Sequence, residues 1–166
     1  MKKVIVRLGN GLGNQLFTYA AAYSFAKKNN AELYVDDESG FHKKHAGYKY
    51  ELHNLNITAP IADKRYKFIG IGGRFKRKVL QKFDKFKREK IFLIEKRDSD
   101  KLTYYNSEQL DINFNDILFF EGYFQCEKYF YSEKDNLNKE FSFKNELVNE
   151  SSAFAEKIKN NNSVSI

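Results

Sequence analysis

Residues 9–15 read Gly9-Asn10-Gly11-Leu12-Gly13-Asn14-Gln15. Three glycines in five positions suit a tight turn whose backbone N–H groups face a phosphate. A residue without Cβ takes positive φ angles and lets a ligand approach the main chain. Asn14 and Gln15 add two side-chain amides at the first turn of the helix that follows. They can donate to an anion or fix the loop itself. The pattern Gly9-x-Gly11-x-x-Asn14 falls one glycine short of a dinucleotide fingerprint, with Asp36 near the place of a ribose-binding acid.

A second cluster is Glu121-Gly122-Tyr123-Phe124-Gln125-Cys126-Glu127-Lys128-Tyr129-Phe130. It follows an apolar run and is expected to open a helix. Tyr123 and Phe124 offer flat faces for a sugar or base, and Gln125 offers an amide for hydroxyls. The competing reading places the aromatics in the core, and Phe124 and Phe130 fit that better. Cys126 lies inside this cluster with no His or Asp to mark it as a nucleophile, so it reads as a small half-buried residue. His42-x-x-His45 lacks the further ligands of a metal site and reads as solvated loop. Asp36-Asp37-Glu38 has the acidity to bind a divalent ion, but acidic strand ends are ordinary loop starts.

The elements that must position these residues follow from periodicity. Val4, Ile5, Val6 and Leu8 read as a buried strand. Residues 15–28 read as a helix, with Leu16, Phe17, Ala20, Ala21 and Ser24 on one face. Residues 31–35 read as a second strand. Strand, helix and strand within about 35 residues imply a parallel βαβ unit and an α/β layer fold. Further strands are expected at 91–94, 102–105 and 117–121. A helix is expected at 145–160, with Leu147, Phe154 and Ile158 among its apolar positions.

Residues 64–90 hold twelve Lys or Arg against Asp84 and Glu89. Phe75, Val79, Leu80, Phe83 and Phe86 recur there at helical spacing, which predicts a basic amphipathic helix. In the usual case such a charged face is solvated around a buried stripe. The other reading lays the helix on an anionic inner membrane leaflet.

The chain has 166 residues, 42% hydrophobic and 31% charged, enough for one domain with a real core. Its net charge of +7 suits an anionic partner without choosing one. The aromatics do not interleave with the basic residues in a nucleic-acid module, so nucleic acid is not expected. One cysteine allows no internal disulfide, the start resembles no signal peptide, and no apolar run spans a bilayer. These features predict a cytoplasmic protein.

Two stretches together carry a resemblance. Gly11-Leu12-Gly13-Asn14-Gln15-Leu16-Phe17-x-Tyr19-Ala20 resembles the amino-terminal signature of the α-1,2-fucosyltransferases, glycosyltransferase family 11. Gly122-Tyr123-Phe124-Gln125-x-x-x-Tyr129-Phe130 resembles that family's central motif, in the same order and spacing. Asn10 departs from the Gly-Gly more usual before Leu-Gly-Asn-Gln.

The resemblance implies a GT-B-like, Rossmann-type fold. It implies inverting transfer of fucose from GDP-fucose to the 2-hydroxyl of a galactoside, in surface glycan or O-antigen synthesis, without a metal or other cofactor. Asn10, Gly11, Gly13, Asn14 and Gln15 are then expected in the donor cleft. Tyr123 and Gln125 are expected in the sugar cleft. The partners implied are GDP-fucose and a galactose-terminated glycan, with a peripheral membrane contact possible for the basic helix.

The family's donor site centres on a His-x-Arg-Arg-x-Asp motif after a strand resembling Asn162-Ser163-Val164-Ser165-Ile166. The expected division is therefore an amino-terminal α/β domain over 1–160 and the first strand of a GDP-fucose-binding domain at 161–166. On this reading the chain alone has no transferase activity, because Arg pairs bind diphosphate oxygens and a cleft must orient donor against acceptor. Transfer of labelled fucose to lactose by 1–166 would refute that. Two other readings stay open: a nicotinamide-dependent Rossmann oxidoreductase and a non-catalytic remnant or binding module.

Overall fold

A computed structural model describes residues 1–41, 47–96, 104–144, 152 and 155–160. Four strands form one sheet: β1 (Lys3–Arg7), β2 (Glu32–Asp36), β3 (Phe92–Ile94) and β4 (Ile117–Glu121). Their spatial order is β2-β1-β4-β3, and every pairing is parallel. Among the described residues, α1 (Leu12–Lys28), α2 (Gly70–Asp84) and α3 (Lys134–Glu140) accompany them. The result is the α/β fold with flanking helices that the βαβ spacing predicts.

The sheet carries apolar side chains on both faces, as parallel sheets do. On one face Val4, Val6, Val35, Leu118 and Phe120 pack against Tyr19, Ala22, Phe25 and Ala26 of α1. Register sets this up, since Val4 lies opposite Leu33 and Leu118, and Val6 opposite Val35 and Phe120. On the other face Ile5 and Phe92 both lie opposite Phe119. Phe68 closes that side with its ring 4.8 Å from Phe119. The step from β1 to β2 and the step from β2 to β3 run in opposite directions across the sheet. Right-handed crossovers therefore put α1 and α2 on opposite faces.

Several expectations change. α1 begins at Leu12 rather than residue 15, because Gly11 serves as N-cap without any side-chain bond. Its buried residues are Gln15, Thr18, Tyr19, Ala20, Ala21, Ala22, Phe25 and Ala26, and Phe17 is exposed. Of the expected face, Ala20 and Ala21 are buried and Leu16 packs partly buried against the core, whereas Phe17 lies outward and Tyr19 and Phe25 fill the core instead. Tyr104 and Tyr105 form no strand. After the second cluster the chain takes two short 3-10 turns, Glu127–Tyr129 and Tyr131–Glu133, before α3. Ser152 and residues 155–159 are helical. Residues 42–46, 97–103, 145–151, 153, 154 and 161–166 lie outside the described residues, and with them His42, His45, Leu147, Phe154 and the expected last strand. No described helix is long and apolar enough to cross a membrane.

Candidate functional site

β1 and β4 are parallel neighbours, so the loops leaving their carboxyl ends meet at one edge of the sheet. Ligands of open α/β sheets bind at that edge. The first loop is 8–11 and the second is 122–126. Both predicted clusters therefore come together, although more than 100 residues separate them along the chain.

In the first loop the residue with a left-handed backbone is Asn10, at φ 63°, not one of the glycines. Asparagine tolerates that region better than other residues with a Cβ. Gly11 sits in ordinary extended backbone at φ −70°, and Gly13 lies inside α1. Early in α1 the first helical bond runs from Gln15 N to Gly11 O at 3.2 Å. The N–H groups ahead of it belong to the unsatisfied set of a helix start.

Gln15 does not reach the cleft. Its side chain is fully buried. Nε2 donates to Asn10 O and to Lys49 O, each at 2.9 Å, and Oε1 accepts Glu51 N at 3.0 Å. Of the two roles open to this amide, it takes the second: it fixes the loop and ties it to residues 49–51.

In the second loop Phe124 has φ 49°, an outlier for an aromatic residue. Glu95, one residue past β3, holds it there. The Glu95 carboxylate accepts Tyr123 N at 2.7 Å and Phe124 N at 3.0 Å. Packing adds to this, with the Phe124 ring 4.5 Å from Phe120 and 5.2 Å from Tyr129. Gly122 is required at the start of the loop, since a Cβ there would lie 2.5 Å from Glu95 Cβ. Phe124 is core, as its type suggests, and Phe130 and Cys126 pack partly buried against that core. Backbone strain of this kind concentrates at functional sites.

Two contacts join the second loop to the first loop and to the first turn of α1. Gln125 Nε2 donates to Asn14 Oδ1 at 2.7 Å. Asn10 Nδ2 stands 3.5 Å from the Tyr123 hydroxyl, at the outer limit of a hydrogen bond. Thr18 supports them from α1, with Oγ1 2.8 Å from Asn14 O and 2.9 Å from Gly122 O. Asn10, Asn14, Tyr123 and Gln125 thus form one polar rim. Beside it opens a cavity of about 480 Å³, whose walls include Arg7, Asn10, Glu95, Glu121 and Tyr123. That is the size of a small-molecule site.

The charges in this wall were not singled out by sequence reasoning. Arg7 donates through Nε to Ser39 Oγ at 3.1 Å and through a terminal nitrogen to Ser39 O at 2.7 Å. Its other terminal nitrogen lies 4.0 Å from Glu121. Burial lowers the Arg7 guanidinium from its ordinary value, while Glu121 raises it. Arg77 of α2 binds Glu121 through both Nε and a terminal nitrogen. A signal for two of them existed: Arg7 follows the apolar run 4–6 and Glu121 follows the apolar run 117–120, each closing its strand with a charge.

Asp36 is also committed. It is buried, and it accepts Glu38 N at 3.1 Å, Ser39 N at 2.9 Å and the Ser39 hydroxyl. Both oxygens serve the turn after β2, so Asp36 is not presented to a ribose as the oxidoreductase reading requires. Lys67 binds the neighbouring Asp37 at 2.5 Å and Glu38 at 2.7 Å. Among the described residues no group of three or more His, Cys, Asp or Glu is arranged to hold a metal ion.

No family model and no solved structure matches this chain. The chain is similar to an alpha-1,2-colitosyltransferase of Escherichia coli, 28% identical over 145 residues. The alignment covers 86% of this chain and 46% of the relative, so the chain spans about half that protein's length. The chain is a distant relative of a glycosyltransferase.

Proposed function

We propose that the chain contributes one wall of the sugar-transfer cleft of an inverting glycosyltransferase. The observation that carries this is the joining of the 122–126 loop to the first turn of α1 by Gln125 and Asn14, beside a cavity holding Arg7. In this reading the donor is a nucleotide diphosphate sugar, GDP-fucose by family resemblance, and the acceptor is a galactoside 2-hydroxyl. The relative is named for a 1,2-linked transfer of another sugar, colitose, which supports the linkage class more than the sugar.

Each residue then has a task. Asn10, Gly11, Gly13 and Asn14 present amides and backbone N–H groups toward the donor phosphates. Arg7 supplies a cation on the cavity wall, where charge gathers on the departing diphosphate. Tyr123 and Gln125 meet sugar hydroxyls. Gln15, Thr18 and Glu95 are positioning residues, since they hold the loops and face backbone groups. The GT-B-like arrangement and a second, donor-binding domain belong to the same proposal.

Ligand-observed NMR tests the wall directly. Saturation transfer from the chain to GDP-fucose or lactose is expected, and Gln125→Ala should weaken it up to about tenfold, the value of one hydrogen bond. Gln125 is exposed, so the fold should be unaffected. Saturation transfer to NAD in place of GDP-fucose and lactose, or a Gln125→Ala variant identical to the parent, would overturn the reading.

A further inference from the structure

α2 turns its apolar side away from the protein. Ile71 is 81% exposed, Phe75 70%, Phe83 62% and Phe86, just past the helix end, 86%. At 3.6 residues per turn these four and Val79 fall within one arc of about 120°. Lys82 stands inside the arc, Lys76 and Lys87 border one side, and Arg74, Lys78 and Lys85 border the other. The side facing the sheet carries Gly73, Arg77, Leu80, Gln81 and Asp84 instead. Gly73 permits the close approach, since a Cβ there would lie 2.6 Å from the Phe68 backbone.

A surface helix ordinarily buries its apolar stripe and solvates its charges. Here the ionic side is inward, through Arg77 on Glu121 and through Asp84, which accepts Ile91 N at 2.8 Å. The outward side is an apolar strip edged by lysine and arginine. Exposed strips of this size mark an interaction surface.

We propose that α2 docks the protein on an anionic lipid surface, with the phenylalanines in the interface and the flanking cations at headgroup depth. The charge pattern selects this occupant. No acidic residue lies in the arc or on its borders, and among the described residues none of the six flanking cations forms an ion pair. A second copy would oppose this cationic rim with its own, in a chain of net charge +7. A planar array of anionic headgroups meets both cationic borders at once and takes the apolar strip between them. The inference is independent of the transfer reading and needs no activity for its test.

The chain has no tryptophan, so Phe75→Trp installs a single reporter. With vesicles of phosphatidylglycerol and phosphatidylcholine, its emission should shift to the blue, and the protein should float with the vesicles. Pure phosphatidylcholine should capture far less, and salt should release the bound protein. Phe75→Ser with Phe83→Ser should weaken binding by more than about tenfold. Lys78→Gln and Lys85→Gln should each weaken it about fivefold at low salt. These side chains are exposed, so circular dichroism should be unchanged.

Protein that stays in solution with anionic vesicles would overturn the proposal. So would a Phe75→Ser, Phe83→Ser variant that floats like the parent, because contact would then be charge alone. A homodimer by light scattering that this double variant dissociates would assign the stripe to a second copy instead.

Discussion

A glutamine side chain has one carbonyl acceptor and two N–H donors, and Gln15 satisfies all of them on main chain. An apolar substitute of similar size fills the space but leaves three part-buried main-chain groups without this partner. Gln15→Leu is therefore expected to cost about 3 kcal/mol, the range for such unpaired groups. Urea unfolding should show this as a lower midpoint at unchanged slope. A loss under about 0.5 kcal/mol, the level of an ordinary surface change, would mean that the loop holds without Gln15. The amide was legible in the sequence as chemistry, but its direction was not. Asn14 and Gln15 are adjacent, and their helix phase decides that one faces the rim and the other the core. That phase depends on where α1 begins, and a glycine N-cap leaves no side-chain signal for it.

At the scale of elements, β4 was legible to the residue, and β1 and β2 to within one. Residues 4–6, 33–35 and 117–120 are short apolar runs, and the central place of β1 and β4 in the sheet leaves their residues little choice of structure. α2 shows the limit. Its stripe was visible at 3.6-residue spacing, but periodicity does not say which way a stripe faces. That is decided by Arg77 meeting Glu121, 44 residues further along. Glu95 is a similar case, since its bonds to the 122–124 loop exist only because β3 pairs with β4 in this register. The ion pair should carry much of the docking of α2. Removing one partner leaves a buried charge, so Arg77→Leu is expected to cost about 3 kcal/mol. Arg77→Leu with Glu121→Leu should cost less than the sum, with a coupling of about 2 kcal/mol in a double-mutant cycle. Additive losses would show that packing, not the ion pair, holds the helix.

At the scale of the whole molecule, two buried hydrogen-bonded groups bind distant segments and both titrate in alkali. The Tyr19 hydroxyl donates to Glu140 at 2.7 Å, and Thr58 N donates to the same carboxylate at 2.8 Å. This joins α1, the segment after β2 and the end of α3. Burial first, then the bond to Glu140, raises the Tyr19 phenol far above its ordinary range. Lys67 binds Asp37 and Glu38; desolvation alone would lower its ammonium, but the two carboxylates outweigh this and raise it. Both groups hold protons in the folded chain at pH values where the unfolded chain has released them. The folded state then binds more protons, so stability must fall as pH rises. The contribution is complete below about pH 10, the ordinary value for both groups, and is lost above it. Urea midpoints measured from pH 8 to 11 should be level at first and then decline. Tyr19→Phe removes one of the groups that titrate in alkali, so its decline should be shallower, although the variant starts lower for want of the Glu140 bond. Parallel declines in parent and variant would place the alkaline transition elsewhere and detach it from the contact that joins the two ends of the described core.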